Sequence, residues 1–142
     1  MAIAATSSSW ASILASADLS GSVAALIREL FAPQKLVAVE LAERPAVALD
    51  QYIAERSLQE NVRPYYGVDQ ADRARLSQIL DDEFGDEPID LVVDDASHLY
   101  AESVASFEVL LPRVRPGGLY VIEDWTWEHL IAGGMRRARL AG

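Results

Sequence analysis

The chain has 142 residues, 51% hydrophobic and 24% charged, which is one globular domain's worth of core rather than a disordered segment. Its 22 acids against 12 lysines and arginines give a net charge of −10, so neither nucleic acid nor anionic membrane is an expected partner, both needing clustered cations. It has no cysteine, and hence no disulfide framework or thiolate metal site. The apolar runs are too short for a membrane span. The first basic residue is Arg28, so the start lacks the positive flank of a secretory signal, and a cytoplasmic protein is expected. The basic groups Arg113/Arg115 and Arg136-Arg137-Arg139 read as solvated surface or helix C-terminal charge.

Taken in order, Met1 to Ser9 is small and polar and is expected to fray. Trp10 to Ala17 reads as a short first strand, with Asp18-Leu19-Ser20-Gly21-Ser22 as the loop behind it. Val23 to Phe31 has helical spacing, with Leu26, Ile27, Leu30 and Phe31 on one face, Ser20 or Ser22 as cap, and Pro33 helping to end it. Lys35 to Val39 is a second strand closing on Glu40, and a helix runs from near Pro45 to about Leu58. Val62 to Tyr66 is a third strand closing on Gly67-Val68-Asp69-Gln70. Ala71 to Phe84 is a helix burying Leu76, Ile79, Leu80 and Phe84, and Gly85 stops it.

The run Leu91 to Val93 suits a strand buried on both faces, and it ends abruptly in Asp94-Asp95-Ala96-Ser97-His98. Ala101 to about Arg113 is a helix carrying Val104, Phe107, Leu110 and Leu111 inward. Arg115-Pro116-Gly117-Gly118 is a turn into a fifth strand, Gly118 to Ile122, which ends in Glu123-Asp124-Trp125. Thr126 to Leu140 is a helical tail interrupted by Gly133-Gly134. This alternation predicts a single α/β domain over 1–142: Rossmann-like, with a mostly parallel sheet of about five strands, helices on both faces and right-handed crossovers.

Glu40, Asp69, Asp94/Asp95 and Glu123/Asp124 all fall at carboxyl ends of these strands, the edge where open α/β sheets bind ligands. A carboxylate at the second strand suits a ribose diol, whose two hydroxyl protons its oxygens can accept; the alternative is that Glu40 simply begins a loop. Asp69 with Gln70 either hydrogen-bonds an adenine or shapes the turn. Asp95, Glu123 and Asp124 are hard oxygen donors, favouring Mg²⁺, Mn²⁺ or Ca²⁺. Three carboxylates together repel one another unless a cation lies between them. His98, three residues beyond Asp95, has the chemistry of a general base near neutral pH. Tyr100, Trp125 and Trp127 either wall a pocket or belong to the core.

Asp94-Asp95-Ala96-Ser97-His98, the helix with Ser106-Phe107, and Arg115-Pro116-Gly117-Gly118-Leu119-Tyr120-Val121-Ile122-Glu123-Asp124 together resemble class I S-adenosylmethionine-dependent methyltransferases. The nearest branch is that of the metal-dependent macrolide-sugar O-methyltransferases and cephalosporin-hydroxylase-like proteins. The resemblance spans roughly Leu36 to Trp125. It implies Asp95, Glu123 and Asp124 on Mg²⁺ or another hard divalent cation and His98 as catalytic base. Glu40, Asp69, Gln70 and Asp94, with Gly21 and Ser22 opening the first helix, are the implied contacts to S-adenosylmethionine. The acceptor it implies is the hydroxyl of a small molecule such as a sugar or natural product.

Two departures stand beside it. The first-strand loop keeps one glycine, Gly21, with Ser16 where a second is expected. The chain also stops soon after the fifth strand, which reads as truncation at the C-terminal end relative to the family. The missing strands leave an open sheet edge, which either pairs in a homo-oligomer or marks a truncated gene product. The competing expectation is a non-catalytic methyltransferase-like domain that binds ligand weakly or only assembles with a partner. An iron hydroxylase lacks its second histidine in a defined place, His129 lying in the tail, and a dinucleotide oxidoreductase lacks its Gly-x-Gly-x-x-Gly turn.

Overall fold

The alternation of apolar runs and helical faces becomes one sheet between two helical layers. A computed structural model describes residues 23–95 and 99–123 together with the backbone of 2–6. The elements are β1 (Ala2–Thr6), α1 (Val23–Phe31), β2 (Lys35–Glu40), α2 (Val47–Glu55), β3 (Val62–Tyr66), α3 (Arg73–Phe84), β4 (Ile89–Asp94), α4 (Tyr100–Leu110), a 3₁₀ turn (Leu111–Arg113) and β5 (Val114–Ile122). The sheet order is β3-β2-β1-β4-β5. β2 and β3 are parallel, as are β4 and β5, while β1 is antiparallel to both β2 and β4. The four other strands therefore share one direction, and the sheet is mostly parallel, as expected.

The expectation that 1–9 frays is corrected over 2–6, since Ala2–Thr6 is the central strand of the described sheet. Its sequence, Ala-Ile-Ala-Ala-Thr, is short but apolar enough for a slot between two buried strands. The strand expected at Trp10 to Ala17 and the tail at 126–142 lie outside the described residues.

Strand alternation divides the core between the two layers. Leu36, Ala38, Leu91 and Val93 pack with Ala24 and Ile27 of α1 and with Leu49, Tyr52 and Ile53 of α2. Val37, Val39 and Val92 pack with Leu76, Ile79, Leu80 and Phe84 of α3 and with Leu110 of α4. Each fully buried aliphatic side chain contributes about 1.5–3 kcal/mol, so a polar residue at Val92 costs at least that much. The Asp72 carboxylate caps α3 by accepting the Arg75 N–H at 3.0 Å, which moves the helix start from the expected Ala71 to Arg73.

Two helical faces differ from the sequence reading. In α1 the buried residues are Ala24, Ala25 and Ile27, while Leu26 turns outward. In α4 they are Ser103, Ala105, Ser106 and Leu110, and Leu111 is exposed because Pro112 draws the chain into the 3₁₀ turn. β5 also begins earlier than expected, at Val114. The expected turn lies inside it as an irregularity: Ile89 pairs with Val114 and Leu91 already with Leu119, so 115–118 loops out. Gly118 is required there, since a Cβ would come within 2.9 Å of the Asp90 carbonyl oxygen.

Near the amino edge of the sheet, Glu83 gathers three donors. Tyr65 Oη lies 2.6 Å, Lys35 Nζ 3.1 Å and Arg63 Nε 3.2 Å from its carboxylate oxygens. Burial pushes the Glu83 carboxyl up, but the bonds from Tyr65, Lys35 and Arg63 outweigh it and hold it below the usual range.

Candidate functional site

The carboxyl ends of β2, β3, β4 and β5 share one edge. Ala2, at the amino end of β1, stands there opposite both Val39 and Asp94. It divides the edge into a β2–β3 half and a β4–β5 half.

In the β4–β5 half, the ladder runs one step beyond β5: the Glu123 N–H donates to the Asp94 carbonyl at 2.9 Å. This places the backbone of Glu123 against the Asp94–Asp95 peptide. Asp95 is half-buried and Glu123 exposed. The structure thus brings two of the expected ligand residues to neighbouring strand ends. His98 and Asp124 lie outside the described residues. Among the described residues no three His, Asp or Glu side chains form a cation cage.

In the β2–β3 half, the Val68 N–H donates to the Glu40 carbonyl at 3.1 Å and the Gly67 N–H to the Ala42 carbonyl at 3.0 Å. The loop after β3 is thereby folded against the loop after β2. Gly67 turns the chain at φ 68, a conformation that favours glycine. The half-buried Glu40 carboxylate accepts the Leu41 N–H at 3.1 Å. Asp69 is exposed and accepts the Ala71 N–H at 2.8 Å, so it does shape its turn. Gln70 instead faces inward, 6% exposed, with Nε2 3.4 Å from Ser106 Oγ. Gly21 and Ser22, expected to open α1 beside the cofactor, lie outside the described residues, as do Trp125 and Trp127. Tyr100 is exposed on the first turn of α4.

Asp94, expected among the cofactor contacts, turns into the fold instead. It sits two residues after Val92, so alternation aims its side chain at the α3–α4 layer. There it is 2% exposed, and its Oδ2 accepts Ser106 Oγ–H at 2.6 Å and the Tyr120 hydroxyl at 3.1 Å. Burial, and then the charge of Asp94, holds the Tyr120 phenol well above its ordinary range, so it stays a donor at physiological pH. Sequence reasoning missed this function for Ser106 and Tyr120. The available signal was that Tyr120 shares the Asp94 face, since Val92 pairs with Tyr120 and Asp94 with Ile122.

A family profile described as a methyltransferase domain matches residues 9–125. The chain belongs to this methyltransferase family. Among its relatives is the 8-demethyl-8-alpha-L-rhamnosyl tetracenomycin-C 2'-O-methyltransferase of Streptomyces olivaceus, 48% identical over 51% of this chain and 18% of its own length. Another is the mycinamicin VI 2''-O-methyltransferase of Micromonospora griseorubida, 43% identical over 43% of this chain and 19% of its own length. The chain thus spans about a fifth of the length of these curated relatives. Among solved structures, the MycE methyltransferase of the mycinamycin biosynthetic pathway, in complex with Mg, SAH and mycinamycin VI, has 29% identity and a TM-score of 0.45, covering 68% of this chain and 32% of that one.

Proposed function

We propose that this methyltransferase domain serves S-adenosylmethionine-dependent, divalent-cation-assisted O-methylation of a hydroxylated small molecule, with a sugar hydroxyl on a natural product as acceptor. The observation that carries the reading is the ligand edge itself. One strand-end pair presents Glu40 and Asp69, the other Asp95 and Glu123. Among the described residues, no lysine or arginine pairs with Glu40, Asp69 or Glu123. The named activities of the two relatives on sugar hydroxyls support the acceptor class.

The donor set fits the groups this reaction needs. Asp95 and Glu123, with Asp124, offer hard oxygens and no sulfur, the chemistry of a Mg²⁺-type site. A bound cation of this kind supplies a Lewis acid that lowers the pKa of a substrate hydroxyl. Glu40 would offer acceptors for a ribose diol, and Asp69 one for the adenine amino group. His98 accepts the hydroxyl proton. S-adenosylmethionine, when bound, would supply the methyl group to the freed oxygen, its carbon–sulfur bond breaking to release the thioether.

We also place the protein in the cytoplasm and read β5 as the oligomer edge. Among the described residues no helix is long and apolar enough to cross a membrane. Among the described residues β5 has one sheet neighbour, and Leu119 and Val121 are exposed on it at 50% and 39%.

The test is calorimetric titration of S-adenosylhomocysteine with and without Mg²⁺. Binding near micromolar, about −8 kcal/mol, is expected. No binding at millimolar ligand would overturn the reading in favour of a non-catalytic methyltransferase-like domain.

A further inference from the structure

The cluster of Ser106, Asp94 and Tyr120 belongs to no step described above. Burying a carboxylate costs several kcal/mol even after relaxation, and apolar residues of similar volume commonly fill such a place at no loss of stability. Here Asp94 is 2% exposed and Ser106 fully buried. The cluster draws one member each from β4, α4 and β5, and Gln70 of the loop after β3 reaches the same Ser106 hydroxyl. Its centre is the last residue of β4, directly before Asp95, on the rung that pairs with Ile122 directly before Glu123.

β5 needs an extra tie at this point. Among the described residues it is held in the sheet from one side only, and its register against β4 breaks between Ile89 and Leu91. The backbone ladder over Leu91–Asp94 therefore resumes after a loop and fixes the carboxyl end of β5 by a few rungs. The Tyr120 hydroxyl adds a side-chain bond across those rungs, and the Ser106 hydroxyl locks the same carboxylate to α4.

We propose that Ser106, Asp94 and Tyr120 are positioning residues that set the spacing of the strand ends bearing Asp95 and Glu123, and so tune divalent-cation affinity. The inference rests on the cation reading above. Two variants remove one donor each with little change of shape: Ser106→Ala, and Tyr120→Phe, which keeps the edge-on ring contact with Phe107 at 5.0 Å. Leu110→Ala is the control. It opens the same core layer and removes none of the cluster's hydrogen bonds.

Titration of Mn²⁺ into each folded protein is the primary readout, with S-adenosylhomocysteine titration in the absence of cation beside it. The expected result is a roughly tenfold loss of Mn²⁺ affinity in Ser106→Ala and Tyr120→Phe, the low end of the range for groups that support a metal ligand. Nucleoside affinity should stay within about twofold, the size of a neutral change. Leu110→Ala should lose stability and keep its Mn²⁺ affinity. Unchanged Mn²⁺ binding in both cluster variants overturns the proposal, and so does an equal loss in Leu110→Ala. Failure of the unaltered protein to bind Mn²⁺, with Asp95→Asn indistinguishable from it, sinks the cation reading itself and is read before any variant.

Discussion

Glu83 and the acids of the ligand edge are the same chemistry put to opposite uses. Glu83 has a tyrosine, a lysine and an arginine on its two oxygens, and these donors hold its pKa down against burial. Among the described residues, Glu40 and Asp69 by contrast accept only a neighbouring backbone N–H through their carboxylates. Glu123 is exposed on a strand end whose neighbouring residue is Asp95. A charge satisfied by the chain's own cations supports the fold. Glu40, Asp69 and Glu123, with no lysine or arginine on them among the described residues, keep acceptor oxygens open to something positive or hydrogen-donating from outside. The contrast separates stability from function more cleanly than burial does, because Asp94 is also buried and neighbours the site.

The largest effect that sharpens this contrast is on turnover. His98→Ala should lower kcat about 1,000-fold, within the range for general bases, while S-adenosylhomocysteine affinity is retained. Parallel loss of both would break the assignment. Next, Asp95→Asn combined with Glu123→Gln should weaken Mn²⁺ binding by about 100-fold, near 2.8 kcal/mol, with stability unchanged or slightly raised as like charges are removed. A marked drop in the urea midpoint of that variant would show these acids to be structural.

Glu83→Gln should do the reverse, costing about 2 kcal/mol in urea unfolding as three donors lose their charged acceptor, with ligand affinity intact. Glu40→Gln should cost S-adenosylhomocysteine about tenfold, or 1.4 kcal/mol, and leave the midpoint in place.

The smallest effect is on pH dependence. Because the folded pKa of Glu83 is depressed, its contribution is present above the unfolded carboxyl value and fades as pH falls through the folded one. The Tyr65 phenol is pushed up to about 12 by burial and then by its bond to Glu83, so its contribution is full below the ordinary phenol value and fades as pH rises through about 12. Glu83→Gln should therefore flatten the acid limb of stability and shift the alkaline limb.

Periodicity made much of this legible. Val23–Phe31, Val62–Tyr66 and the close of β4 on Asp94 follow from spacing and from apolar runs that end in acids. Spacing does not say which neighbour a face meets. Leu26 lost its place to the smaller Ala24 and Ala25, which allow closer approach to the sheet. Ala2–Thr6 gives too weak a strand signal to stand out, four of its five residues being alanine or threonine. Asp94 looked like its neighbour Asp95, yet one position along a strand reverses the direction of a side chain. Ser106 in mid-helix carries no local sign of the carboxylate it meets from β4. The ligand edge was legible as a set of strand ends, with Asp95 and Glu123 now on adjacent ones; His98 and Asp124 fall outside the described residues.

The placing of β1 bears on how the molecule assembles. Among the described residues it is the strand bordering both halves of the sheet, pairing with Lys35–Val39 on one side and Leu91–Asp94 on the other. It precedes both partners in the sequence, and its second partner is separated from it by most of the described chain. Such long-range closure is slow, so the outer halves have time to form before the seam between them is stitched. Because Ala2 stands beside Val39 and Asp94, any segment joined ahead of it leaves the sheet at the edge where the other four strands end.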